Sequence, residues 1–379
     1  RHRPHRMTRE LQFAALFALA AALMFTMTGV ATSGIITATG DPLTPRFHQT
    51  AVLLADNRVL IAGGMRANRA VEASAELYDP VSGRFSPLAS MHTPRVGAAS
   101  ALLPGGNVLI AGGSSDSESC LAAAEIYDMA ARTFRAAGAM STPRCGALGF
   151  ALRGGKVLFV GGSRTSDGGQ QASAELFDPA TGRFSPTGSM RVARSSFAGA
   201  ALSDGRILVM GGWSVGSYPQ RTVEASAEIY DPASGRFTST GSMTARRYKM
   251  GAVRLENGRV LVVGGSDNRE WQGLLNSTEI YDPVSGKFSR GADMSFHRFK
   301  LPDGVVALGS GRVLISGGAE RAEIYDPAAN AFSRAGGAAL DGFYFSTATK
   351  LANNQVLIVG GYGADPGAGA VQHAWLFRP

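Results

Sequence analysis

The chain has 379 residues, of which 45% are apolar, 17% are charged and 49 are glycine. This is a globular composition, and the glycines follow no Gly-X-Y period, so disorder and collagen are both excluded. The formal charge of +8 overstates the body of the protein, because setting aside Arg1, Arg3, Arg6, Arg9 and Glu10 leaves 33 basic against 28 acidic residues. With no Lys/Arg run and no zinc-finger or RNA-binding pattern, nucleic acid is not an expected partner.

Residues 11–31 (LQFAALFALAAALMFTMTGVA) form one uncharged apolar stretch behind those basic residues, and it closes on the small residues Gly29-Val30-Ala31. Residues 1–31 therefore read as a secretory signal, or as an uncleaved N-terminal anchor that would be the protein's one membrane contact. Either way the positive flank predicts that 32–379 lies outside the cytoplasm, as a secreted, periplasmic or cell-surface domain.

From there the chain is a repeat. A Gly-Gly pair follows an aliphatic run at 63–64, 112–113, 161–162, 211–212, 264–265, 317–318 and 360–361. Each unit reads as four strands. In the second, Arg95 to Leu103 is a small-residue strand a, and Val108 to Ala111 is a strand b buried on both faces. Ala124 to Asp128 is strand c, and Thr133 to Arg135 is strand d. The c–d turn reads Asp79-Pro-Val-Ser-Gly83, with equivalents at Asp178, Asp231 and Asp282. Asp accepts backbone N–H groups, Pro presets φ and Gly takes the left-handed position. Asn330 stands in the Gly place in the sixth unit, and Arg132, in the second, fits it poorly.

The seventh unit stops after its strand c at Pro379. Its missing outer strand is at the other end of the chain, where Ser33-Gly-Ile-Ile-Thr-Ala-Thr-Gly40 aligns with Ser234 to Gly241. The expectation is an all-β, seven-bladed β-propeller of four-stranded blades. Residues 34–39 close the ring by completing the last blade, with Ile36 in the strand-d aromatic position, and no further domain is needed.

The Gly-Gly pairs, the spaced Tyr78, Tyr127, Tyr230, Tyr281 and Tyr325, and a strand-d aromatic (Phe85, Phe134, Phe184, Phe237, Phe288, Phe332) resemble the kelch family over residues 33–379. That resemblance implies the propeller, while function has to be argued from a site. Copper oxidases related to galactose oxidase share such a propeller. They need a Tyr–Cys cross-link, a Tyr-His pair and a histidine from another domain; with no Tyr-His dipeptide, no further domain expected and only His48, His92, His297 and His373 beyond the leader, no cofactor and no metal are expected. Sugar mutarotases or epimerases on kelch propellers need only an acid–base pair and an arginine, and the sequence is compatible with them.

The repeated Glu of strand c (Glu76, Glu125, Glu175, Glu228, Glu279, Glu323) reads as blade architecture and not as a catalytic group. The repeated Arg before strand a (Arg46, Arg95, Arg144, Arg194, Arg247, Arg298) has two readings. It rings a channel mouth and attracts anions, as kelch adaptor domains do with acidic peptides, or it pairs with a neighbouring blade's Glu or carbonyl. Phe343 breaks this ring in the seventh unit. Residues that depart from the repeat gather on the same face: Phe47, His48, Trp213, Tyr218, Arg221, Tyr248, Lys249, Arg269, Trp271, His297, Phe299, Lys300, Phe343 and Tyr344. The expected ligand-binding set is the six arginines with His48, Trp213, Tyr248, Trp271, His297 and Phe343. Cys120 and Cys145 fall on that face in adjacent blades and are expected to form a disulfide. The reading is an exported, non-catalytic binding module for a protein, peptide or glycan, with a carbohydrate-active enzyme as the alternative.

Overall fold

The structure, a computed structural model, describes residues 34–116, 119–166, 168–216, 220–364 and 369–379. The apolar stretch at 11–31, and with it the signal or anchor, lies outside the described residues, as does Tyr218. No helix among the described residues is long and apolar enough to cross a membrane.

Seven antiparallel sheets surround one axis. In blade two, Ala99–Leu102 lies innermost, followed by Val108–Ala111, Ala124–Asp128 and Thr133–Ala136. Each innermost strand touches the next blade's, and the seventh, Thr347–Lys350, touches the first, Thr50–Leu53. Strand b is buried on both faces throughout, as its unbroken run of apolar residues requires. The core is therefore a series of apolar layers between neighbouring sheets.

The ring closes as the sequence indicates. Ile35–Ala38 pairs antiparallel with Ala374–Arg378, setting Ile36 opposite Phe377 just as Phe85 stands opposite Tyr78. Gly336–Gly337 then adds a short parallel strand outside it, so the last blade has five strands. The c–d turns follow their chemistry: in the first, Asp79 accepts the Val81 N–H at 2.9 Å and Gly83 sits at φ +68. Arg132 and Asn330 also take positive φ, so the turn imposes its backbone even on arginine.

The Gly-Gly pair and the Arg before strand a explain each other. The second glycine of every pair donates its N–H, at 2.8–3.0 Å, to the carbonyl of Arg95, Arg144, Arg194, Arg247, Arg298, Phe343 or Arg46 in the next blade. A Cβ on Gly63 would stand 2.4 Å from the Arg95 carbonyl oxygen, so only glycine permits the approach. Within its own blade each of the six arginines donates to the first glycine's carbonyl and pairs with the strand-c Glu, at 2.7–3.2 Å. The same carboxylates accept backbone N–H groups from the segment entering the blade, such as Leu43 and Thr44 on Glu76. Blade seven replaces both partners together: Phe343 stands for Arg and Trp375 for Glu, both buried in one apolar cluster.

Truncating one member of a buried pair leaves the other uncompensated, which costs about 3–5 kcal/mol. Arg194→Met is expected to lose that much in guanidinium unfolding, and adding Glu228→Leu is expected to recover part of it. Ile36→Ala, at the closing strand, is expected to cost about 2–5 kcal/mol by the same measurement.

Candidate functional site

The six arginines are 0–1% exposed and spend their hydrogen bonds on their own blades. They do not line the mouth. A guanidinium closed off by Glu and carbonyls has no face left for a ligand, so the anion-attracting ring expected of Arg46, Arg95, Arg144, Arg194, Arg247 and Arg298 is corrected to an internal bracket. The pairing is within each blade, not between blades.

The mouth is built two residues further on. His48, Gly97, Gly146, Ser196, Lys249, Lys300 and Phe345 occupy one equivalent position in the seven blades, and all have φ between +51 and +62. Backbone bonds run between them from blade to blade: Gly97 N–H to the His48 carbonyl, His48 to Phe345, Phe345 to Lys300 and Lys249 to Ser196, at 2.8–3.0 Å. These residues form a collar across the channel. His48, Gly97, Gly146, Ser196, Lys249 and Phe345 line both a shaft cavity of about 390 Å³ on one side and a vestibule of about 420 Å³ on the other. Non-glycine residues at positive φ are uncommon and cluster where function holds them.

The collar is lopsided. On blades two to four it meets Ser114, Ser163, Ser195 and Ser196, with Asp116 on blade two and Trp213 and Arg221 on blade four. On blades five to seven and one it is aromatic and cationic. Lys249 Nζ lies 5.2 Å from the Tyr248 ring centre and 5.4 Å from that of Phe299. Lys300 Nζ lies 4.4 Å from the Trp271 ring centre and donates to Tyr362 Oη at 2.6 Å. His48 stacks on Phe345 with ring centres 4.3 Å apart. Among the described residues the carboxylate in ion-pair reach of these lysines is Glu270, 3.9 Å from Lys249.

Burial, then the charge of Lys300, lowers Lys249 to about 7, and burial lowers Lys300 to about 8. Burial followed by both lysines lowers His48 to about 4, so its imidazole is neutral at neutral pH. Asp303 stands in the shaft, reached by water yet enclosed by the channel wall, and burial raises it to about 6. Among the described residues nothing pairs with its carboxylate.

Of the other expected site residues, Trp213 lines the vestibule beneath Arg221, whose guanidinium lies 4.8 Å from its ring centre. Tyr248 is buried behind Lys249 with Trp213 and Phe299. Trp271 is 48% exposed, with its ring against Phe299 and Tyr344. His297 is exposed but lines neither cavity, and Phe343 is buried in the blade-seven core. Cys120 and Cys145 are joined in a disulfide, Cα atoms 5.3 Å apart, tying a blade-two loop to the entry of blade three. Sequence reasoning missed Asp303. Its signal was present: five residues after the repeated Arg, the other blades carry Ala51, Ser100, Gly149, Gly199, Ala252 and, after Phe343, Ala348, and only blade six puts a charge there.

The fold and the collar define a closed propeller with an axial site. Three stretches match the kelch motif, residues 46–92, 194–244 and 257–295, and with the seven-bladed ring they make the chain a kelch-repeat β-propeller. No curated protein matches the chain. Among solved structures it is similar to a fungal alcohol oxidase of the AA5 family in complex with copper. The two are 17% identical with a TM-score of 0.71, over 91% of this chain and 76% of that one, a likeness of fold alone. The residues here do not suit copper. Among the described residues no group of three or more His, Cys, Asp or Glu converges, and both cysteines are spent on each other.

Gly97 has φ +62, and a Cβ there would stand 2.6 Å from the His48 ring. Gly97→Ala is expected to displace His48, shifting its imidazole NMR resonances, and to destabilise by about 1–2 kcal/mol from the left-handed backbone alone.

Proposed function

We propose that this protein binds a small acidic sugar at the collar, its carboxylate between Lys249 and Lys300, its ring against the aromatic faces, and its hydroxyls toward His48 and Asp303. The observation that carries this reading is the pair of lysines gathered over the Phe299 ring, at 5.4 and 5.5 Å from its centre, with Lys249 lining both cavities. Two such cations gain from an anion that neutralises them, and aromatic faces take the apolar side of a sugar. The shaft's volume suits a ligand of that size, and the Asp303 carboxylate favours hydroxyl groups over a second acidic residue of a peptide. A sugar-transforming enzyme is the second reading, favoured by two groups that titrate near neutrality in one cavity, Asp303 and Lys249.

Export belongs to the same proposal. It is supported by the apolar stretch at 11–31 and by a disulfide of the kind that persists in oxidising compartments.

The test is calorimetry with D-glucuronate against D-glucose. Glucuronate is expected to bind and glucose not, with Trp271→Ala or Lys300→Met weakening binding about tenfold, the worth of about 1.4 kcal/mol. Equal binding of both sugars, or binding only of acidic peptides, overturns the acidic-sugar reading. The pH dependence has a definite sign. The lysines attract the anion only when protonated, so affinity falls as pH rises through about 7 and about 8. Asp303 gains its negative charge above about 6 and acts in the same direction. Affinity is therefore expected to be greatest below pH 6 and to decline steadily to pH 9.

A further inference from the structure

We propose that Lys249 is a reactive amine that forms an imine with an aldehyde or ketone bearing a carboxylate. The inference deepens the acidic-ligand reading and rests on it for the carboxylate contact, which Lys300 supplies. Four features on the page support it. The Lys249 side chain is about four-fifths buried and sits in the collar, reaching both cavities. Its surroundings are the rings of Tyr248, Phe299 and Phe345, which solvate an ammonium poorly. The charged groups facing it are Lys300, Arg221 and Glu270, with His48 beside them; two are cations, and the one carboxylate stands 3.9 Å away. Finally, its backbone is held at φ +51, so the amine is delivered to the axis by the fold.

Desolvation and a neighbouring cation are the means by which an amine is kept neutral and nucleophilic near pH 7. Lys249 has both, and about 7 is where they bring it. Lys300, at about 8, keeps more of its charge and is suited to hold the carboxylate. The two lysines thus divide the work, one as nucleophile and one as anchor. The step balances: the amine lone pair attacks the carbonyl carbon, the carbonyl oxygen takes a proton, and the carbinolamine loses water as the C=N bond forms. No electrons are gained or lost, and no co-reactant is needed.

The experiment is trapping with pyruvate and sodium cyanoborohydride, read by intact mass and peptide mapping. Lys156, Lys287 and Lys350 are exposed and serve as internal controls. The expected result is one reduced adduct, on Lys249, formed at least tenfold faster than on any control lysine. Lys249→Arg and Lys249→Met should both lack it while keeping the wild-type melting temperature. In Lys300→Met, loss of the neighbouring charge should move the midpoint of the trapping pH profile upward by about one unit. Adducts spread evenly over the lysines, or retained in Lys249→Arg, overturn the proposal. Lactate, which has the carboxylate without the carbonyl, separates the two readings. Lactate binding without a pyruvate adduct removes the imine chemistry and leaves the anion site, whereas absence of both removes both.

Discussion

The structure depends on one repeated contact, the buried Arg–Glu bracket with its Gly-Gly partner. Each arginine fastens strand c to the end of strand b in its own blade, and its backbone carbonyl accepts a glycine N–H from the blade before. One residue thus holds a blade together through its side chain and joins two blades through its main chain. Buried ion pairs are poor sources of net stability against apolar replacements, and here their terminal guanidinium nitrogens meet a carbonyl and a carboxylate that fix the geometry. Blade seven makes the point within one chain, since Phe343 and Trp375 replace Arg and Glu while Gly318 still donates to the residue-343 carbonyl.

The bracket also sets up the collar. With residue Arg and its carbonyl fixed, the chain must turn sharply two residues later to enter strand a, and it does so at positive φ in all seven blades. The side chain at that position is free to vary because the bonds that join the collar, at four of its seven junctions, are made by backbone alone. Blades two and three use Gly97 and Gly146, which leave room, and blades five and six use Lys249 and Lys300, which fill it. A symmetric scaffold therefore presents an asymmetric collar, rich in serine on blades two to four and lysine-bearing on blades five and six.

Within that site the charges are balanced by position more than by pairing. Beside the larger effect of burial, the charge of Lys300 eases the loss of a proton from Lys249, and both lysines ease it from His48. Asp303 lies on the shaft side, where burial alone acts on it. The proposed acidic sugar and carbonyl chemistry both build on the separation of Lys249 in the collar from Asp303 in the shaft.

The seven units, the four strands in each, the turn at each Asp-Pro hairpin and the closure of the ring through Ile36 are all legible in the amino-acid order. Those features are written in local residue types at a fixed period, and strand alternation and turn chemistry need nothing distant to be read. The same order also singles out His48, Trp213 and Trp271, because departures from a repeat are visible without coordinates. Whether each Arg position meets water depends on the folded blade. A one-dimensional pattern shows that Arg and Glu recur about thirty residues apart, but not that a shared blade brings them into contact and removes both from solvent. The same limit hid Asp303 and turned Phe343 inward: whether a side chain fills a core or a channel depends on the strand beside it, and that neighbour is supplied by the fold.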